Sequence, residues 1–207
     1  MPTTDSHSPG RPCWVDQSTE TTEQRHGLMH FYSAIFGWTY DEGPEETGHY
    51  TIASNGSHAV LGLGQQEGGD GEALTYFATD DIDASAKRAA ELGGTVVFGP
   101  MDVMDVGKMA IVIDPTGARH GLWQPGTFAG FGQIYEVGSP GWFNHDSADP
   151  AAAAAYYSGL TGFPATEPEP GMRVLSDGDQ WFASISAAMS PTRPARWNPI
   201  YITDSLE

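Results

Sequence analysis

Trp14 and Asp16 stand two residues apart in "PCWVDQS", and strand alternation puts both side chains on one face. The same count sets Tyr76 and Ala78 with Leu74 in "LTYFATD", Arg119 and Trp123 with Gly121 in "RHGLWQP", and Trp142 with Asn144 in "GWFNHD". These types suit acid–base and binding chemistry. Asp16, if buried enough to raise its pKa, serves as a general base. Arg119 suits a carboxylate or enolate oxygen. An indole offers a flat apolar face to an aromatic ligand. Each also has a plainer use. Trp14 and Trp142 fill space between sheet and helix, Arg119 and Asp16 form a structural ion pair, and Tyr76 only packs.

Other reactive types carry less. His26 and His30 have the spacing of a helical zinc pair, but they lie opposite the Leu28/Tyr32/Ile35 face and lack the Glu of the metalloprotease pattern. His145 and Asp146 are adjacent and point to opposite sides of a strand. His145 and His120 are out of phase with the faces above. His49 and His58 flank a hairpin, where they reach only each other. "GLGQQE" lacks the third glycine and the following helix of a nucleotide loop. Cys13 alternates with Trp14, so it faces the other way and reads as buried and inert.

The elements that must position these residues repeat. A strand over 12–17 leads into a helix from Glu23 to Phe36, with Leu28, Phe31, Tyr32, Ile35 and Phe36 as its apolar face. Strands "HYTIAS" and "HAVLGLG" follow, with Asn55-Gly56 as the turn between them. "GQQEGGDGEA" is a Gly-rich linker. A second unit runs from the strand "LTYFATD" through a helix capped by Asp81 or Asp83 and stopped at Gly93-Gly94. Its further strands are "TVVFGP", "MAIVID" and "RHGLWQP", with the turn "DPTG". A third unit opens at "GWFNHD". Asp149 caps its helix, Pro150 is the first helical residue, and a hairpin turns at Asp177-Gly178. "SPTRPAR" links onward, and "NPIYITDSLE" matches the start of the second unit. By the repeat, roughly fifty more residues would complete a fourth unit, which reads as truncated and the chain as a fragment. The expected division is a flexible leader over 1–11, a first domain over 12–127 (units 12–64 and 73–125), a linker over 128–139, and an incomplete second domain over 140–207.

Composition narrows the class. The 207 residues carry 27 acidic and 9 basic side chains, a net charge of −18, which opposes binding to nucleic acid or to anionic membrane surfaces. Hydrophobic content of 39% suits a globular chain. No apolar run nears the roughly 20 residues that span a bilayer, and the polar "MPTTDSHSPGRP" is no signal peptide. One cysteine forms no intramolecular disulfide, so a cytoplasmic setting is expected.

"FYSAIFGW" and "YYSGLTGF" after a first strand, "FATDDIDASAKRAAELGGTVVFGPMDV" and "VIDPTGARHGLWQPG" together resemble the vicinal oxygen chelate superfamily. That group includes glyoxalase I, fosfomycin- and bleomycin-resistance proteins and extradiol dioxygenases. The resemblance covers nearly all of 12–207 and is nearest to tandem proteins labelled hydroxylase or glyoxalase-like, some of them in antibiotic pathways. It implies an α+β fold of tandem βαβββ units pairing into a cup-shaped mixed sheet. It also implies a divalent metal held by His and Glu from the first and last strands of each unit, acting as a Lewis acid. At those positions this chain has Trp14, Trp142, Leu74, Gly121, and Gly62 or Gly64, none of which ligates a metal through its side chain. The expectation is therefore no cofactor, and a cup binding a small hydrophobic or aromatic metabolite. Trp14, Tyr76, Trp123, Trp142 and Asn144 would contact the ligand, with Asp16 and Arg119 as the catalytic candidates. Whether any reaction is catalysed stays open. The alternatives are a metal-dependent lyase, isomerase or dioxygenase of the same superfamily, and a scaffold without a ligand. A homodimer is one expected assembly.

Overall fold

A computed structural model describes residues 6–68, 70–188 and 193–204. Met1 to Asp5 of the expected leader, Met189 to Thr192 in the third link and the last three residues lie outside the described residues. The first unit comprises β1 (Pro12–Thr19), α1 (Thr22–Phe36), β2 (Thr39–Glu42), β3 (Thr51–Asn55) and β4 (His58–Gln65). The second comprises β5 (Asp70–Ala78), α2 (Ile82–Glu91), β6 (Thr95–Val103), β7 (Gly107–Ile113) and β8 (Arg119–Pro125). Then follow β9 (Pro140–Ser147), α3 (Pro150–Thr161), β10 (Ala165–Glu169), β11 (Met172–Asp177), β12 (Gln180–Ala187) and β13 (Arg196–Tyr201).

The strands form two mixed sheets. The first has the order β2-β3-β4-β1-β5-β8-β7-β6 and the second β10-β11-β12-β9-β13. The five-strand order is the first five of the eight over again. In both sheets the opening strand runs parallel to its own unit's last strand and antiparallel to the next unit's first. The repeat in the sequence is thus a repeat in pairing. Asp16 faces Gly62 across the parallel pair in the first sheet, and Asn144 faces Ser184 in the second.

Local chemistry fixes the helices. Thr21 and Gln24 form a reciprocal capping box on α1, and Gly37 ends it at φ 70°, a left-handed turn that glycine adopts without a Cβ penalty. Asp81 caps α2 and Asp149 caps α3, each accepting from a backbone N–H three residues on. Several expectations need correction. Phe31 and Ile35 are 54% and 47% exposed, so only Leu28, Tyr32 and Phe36 of the expected α1 face turn inward. The fully buried residue of that helix is Arg25, which donates to the His49 carbonyl and to Glu42. His58 sits opposite Asn55 rather than His49, whose Nδ1 lies 3.1 Å from Glu42. The Gly-rich linker already becomes strand at Asp70, and "TYDE" and "ATEPE" are strands that the pattern did not mark. The leader is held over its second half, where Gly10 and Arg11 pair with Ala78.

The two halves pack through the faces that carry the helices. Phe77 of β5, Trp197 of β13 and Tyr157 of α3 share one core, with ring centroids 4.9–5.6 Å apart. The opposite faces of both sheets therefore turn away from this core. The stretch between the halves is no loose link. Phe131 is buried, its N–H bonds to the Cys13 carbonyl, and Gly132 N–H bonds to Ala59. No helix among the described residues is long and apolar enough to cross a membrane.

Candidate functional site

The face of the first sheet away from the helices gathers Trp14, Asp16, Tyr76 and Trp123. Trp14 and Asp16 come from β1, Tyr76 from β5 opposite Trp14, and Gly121 of β8 lies beside Tyr76. Trp14 Nε1 donates to Asp16 Oδ1 at 2.8 Å. The same indole N–H bears on the Tyr50 hydroxyl at 2.8 Å, and that hydroxyl donates to Asp16 Oδ1 in a short hydrogen bond. The Tyr76 hydroxyl interacts with the same carboxylate. Phe128 packs edge-on against Trp14, centroids 4.9 Å apart, and its carbonyl accepts from Trp123 Nε1. Trp14, Tyr76 and Trp123 are buried, while Asp16 and Tyr50 keep partial exposure.

Burial raises the Asp16 pKa, and the bonds from Tyr50, Tyr76 and Trp14 offset only part of that shift. Tyr50 and Tyr76 are pushed well up, first by burial and then by the charge of Asp16. Both phenols therefore remain protonated donors. Arg119 stands on this face by alternation but is exposed, and it makes no ion pair with Asp16. The expected structural pair is thus not formed. Cys13 turns to the helix side, and burial pushes its thiol up.

Tyr50 and Phe128 are the residues that sequence reasoning missed. A signal for Tyr50 existed: it is in phase with Ile52, which pairs with Gly62, so it shares the face of Asp16. Two glycines make room for the tyrosines. A Cβ on Gly62 would come 1.9 Å from the Tyr50 hydroxyl oxygen and 2.3 Å from Asp16 Oδ1, and one on Gly121 would come 2.0 Å from Tyr76 Cδ1.

Trp142 and Asn144 occupy the matching face of the second sheet. Trp142 Nε1 donates to Ser184, which donates to Asn144 Oδ1. Asn144 and Asn198 both donate to Asp146, at 2.6 and 3.0 Å. This face is built of hydroxyls and amides where the first has phenols and glycines. The structure does not bring these residues to the Asp16 cluster, because the two faces point away from each other. His26 and His30 are exposed on α1. His145 and His120 are buried in the shared core. His145 Nε2 lies 3.0 Å from Asp114 Oδ2, and His120 Nε2 lies 2.9 Å from the Tyr156 hydroxyl.

A divalent metal does not fit these donors. Asp16 is the lone carboxylate among Trp14, Asp16, Gly62, Leu74 and Gly121, and Tyr50 and Tyr76 occupy the space that longer side chains at the two glycines would need. Among the described residues no group of three or more His, Cys, Asp or Glu is placed to hold an ion.

Comparison with known proteins agrees with this architecture. A family described as the Glyoxalase/Bleomycin resistance protein/Dioxygenase superfamily matches residues 24–120. The chain is 31% identical over 221 aligned residues to "Putative glyoxylase CFP32" of Mycobacterium tuberculosis, spanning 100% of this chain and 82% of that protein. It is 33% identical over 172 residues to "Anthracycline biosynthesis protein DnrV" of Streptomyces peucetius, spanning 75% of this chain and 62% of that one. Among solved structures, the Mn(II)-bound glyoxalase of Novosphingobium aromaticivorans superposes with a TM-score of 0.62 at 12% identity, covering 87% of this chain and 62% of that one. The 2,2',3-trihydroxybiphenyl 1,2-dioxygenase of Sphingomonas wittichii superposes at 0.60 with 15% identity, covering 87% and 68%. At these identities the structures share a fold.

Proposed function

We propose a function from one premise: this chain belongs to the glyoxalase/bleomycin resistance protein/dioxygenase superfamily. The outward face of its first sheet binds a small hydrophobic or aromatic metabolite, and does so without a divalent metal. One observation carries this reading. Where the family resemblance assigns metal ligands on this sheet, the chain has Trp14, Leu74 and two glycines, Gly62 and Gly121, and both glycines are covered by tyrosines bonded to Asp16. Trp14, Trp123 and Phe128 supply apolar walls. Asp16 is the polar centre, Arg119 a cation near its rim, and Trp142 with Asn144 the corresponding positions on the second sheet. The relatives named for glyoxylase activity and for anthracycline biosynthesis suit a ligand of metabolite size.

The test begins with elemental analysis of untagged protein expressed with Ni, Zn, Mn and Fe supplied. Metal far below one per chain is expected. Near-stoichiometric metal lost on chelation would sink the metal-free reading and favour a metal-dependent lyase, isomerase or dioxygenase. Calorimetric titration with bicyclic aromatic compounds should then show saturable binding, weakened about tenfold in Trp14→Ala, the loss expected when one stacking wall worth about 1 kcal/mol or more is removed.

A further inference from the structure

Gln17 faces Ala73 across β1 and β5, and His145 faces Trp197 across β9 and β13. The two pairs are equivalent. Four residues beyond Ala73 and Trp197, Phe77 and Tyr201 lie opposite the opening prolines, Pro12 and Pro140. Tyr32 and Tyr157 match likewise, each five residues before the glycine that ends its helix. The Trp197 indole fills its side of this arrangement, with ring centroids 4.9–5.3 Å from Tyr157, His145 and Phe77. On the other side the counterparts are Tyr32, Gln17 and Tyr201. There Ala73 leaves the space to a cavity of about 500 Å³, which these residues line together with Arg196 and Trp197. We propose that this cavity between the halves binds a flat aromatic ring of indole size that carries a hydrogen-bond acceptor. It is a site separate from the outward face of the first sheet, and the proposal does not rest on the reading of that face.

Size, ring surface and polar inventory lead to this ligand. The volume falls in the span of small-molecule sites, roughly 300–1,000 Å³. An alanine where the equivalent position has a tryptophan leaves room for a bicyclic ring, and Tyr32, Trp197 and Tyr201 offer rings to pack it. Most polar groups of the lining are satisfied. The Tyr32 hydroxyl donates to Gln17 Oε1, Gln17 Nε2 to the Gly71 carbonyl, and the Tyr201 hydroxyl to the Val60 carbonyl. His145 and Tyr157, by contrast, both turn to Asp114 of the second unit. Gln17 and Tyr32 bond to each other directly and call for no inserted carboxylate, so the body of the ligand is apolar. Arg196 supplies the one polar demand. Its Nη1 pairs with Glu72 at 3.1 Å, while its buried Nε has no partner among the described residues. A guanidinium only donates, so the matching ligand group is an acceptor. Glu72 already balances the charge, which favours a neutral carbonyl over a carboxylate.

The probes are indole and indole-3-carbaldehyde, which share one ring system and differ in the acceptor. Calorimetric titration of the full chain should show saturable binding of the aldehyde at one site, several-fold tighter than that of indole. Ala73→Trp restores the indole of the equivalent position and should weaken both probes about tenfold or more. Arg196→Met should bring the ratio of the two affinities toward one. No saturable binding of either probe overturns the proposal, and so does binding that survives Ala73→Trp. Binding that survives Ala73→Trp but falls in Trp14→Ala places the probe on the outward face, so the function proposed above stands while this second site does not. An aldehyde preference unchanged in Arg196→Met overturns the acceptor contact. Should Ala73→Trp not fold, Ala73→Met fills part of the same space, and unchanged binding in that variant overturns the proposal equally.

Discussion

At the scale of single residues, Asp114 and His120 are poised in opposite ways by one core. Asp114 Oδ1 accepts from Thr116 and Ala118, and its Oδ2 accepts from Tyr157 and contacts His145. Burial works to raise its pKa, yet the hydrogen bond and charge of His145 outweigh this and hold it at about 2. Burial lowers His120 to about 4, because the imidazolium is not solvated there. Both folded pKa values lie below the unfolded ones, so both groups give stability that is present at high pH and lost on acidification. For His120 the loss runs from about pH 6.5 to 4 and amounts to about 3 kcal/mol. For Asp114 it follows between about pH 4 and 2. Denaturant midpoints followed against pH should show both legs, and His120→Gln should abolish the upper one. A second residue-scale expectation concerns Gly121. A methyl group there collides with Tyr76, so Gly121→Ala should cost about 2 kcal/mol. Tyr76→Ala should relieve part of that cost in a double-mutant cycle. Additive losses would place the strain elsewhere.

At the scale of elements, α1 divides its apolar residues, with Leu28, Tyr32 and Phe36 turned inward. Its outward side carries Phe31 and Ile35, and its buried anchor is Arg25. Phe31→Ser and Ile35→Ser should each change stability by no more than about 0.5 kcal/mol, as at ordinary surface positions. Arg25→Ala should cost about 2 kcal/mol, since it removes a buried side chain together with its hydrogen bonds to the His49 carbonyl and to Glu42. Thermal melts of the three variants decide between this arrangement and one in which the apolar pair is buried. The heptad-like spacing of Leu28, Phe31, Tyr32 and Ile35 was legible in the sequence, but it announces a helix and a stripe without saying how much of the stripe is covered. Burial depends on what lies across from the stripe: Phe36 meets Tyr201 and the Met29 carbonyl accepts from Tyr40, while Phe31 and Ile35 stay exposed.

At the scale of the whole molecule, the halves are joined by a core that belongs to both. Trp197 is 1% exposed and touches Phe77 of the first half with His145 and Tyr157 of the second. Trp38 adds a bond to the Gly138 carbonyl, and Arg196 pairs with Glu72. Trp197→Ala should cost about 4 kcal/mol, the range for a truncated core aromatic. It should also lower the cooperativity of unfolding, so that tyrosine and tryptophan probes of the two halves no longer report one transition. Coincident transitions at unchanged midpoint would show that the halves are coupled through other contacts.

The sequence by itself determined the repeat, the Asp149 cap of α3, the Asn55-Gly56 and Asp177-Gly178 turns, and the faces on which Trp14, Asp16, Tyr76 and Trp142 lie. Each of these follows from a period of 2 or 3.6, or from one residue's φ preference, and so is written locally. It also placed His145 and Cys13 on the side away from the outward face, by the same count. Tertiary structure alone decided that Tyr50 reaches Asp16, that Arg119 does not, that Phe128 folds over Trp14, and that His145 meets Asp114 across the two halves. Those pairs are separated by 31 to 114 residues in the chain. Whether their side chains meet depends on sheet register and on how two faces close, which no local period encodes.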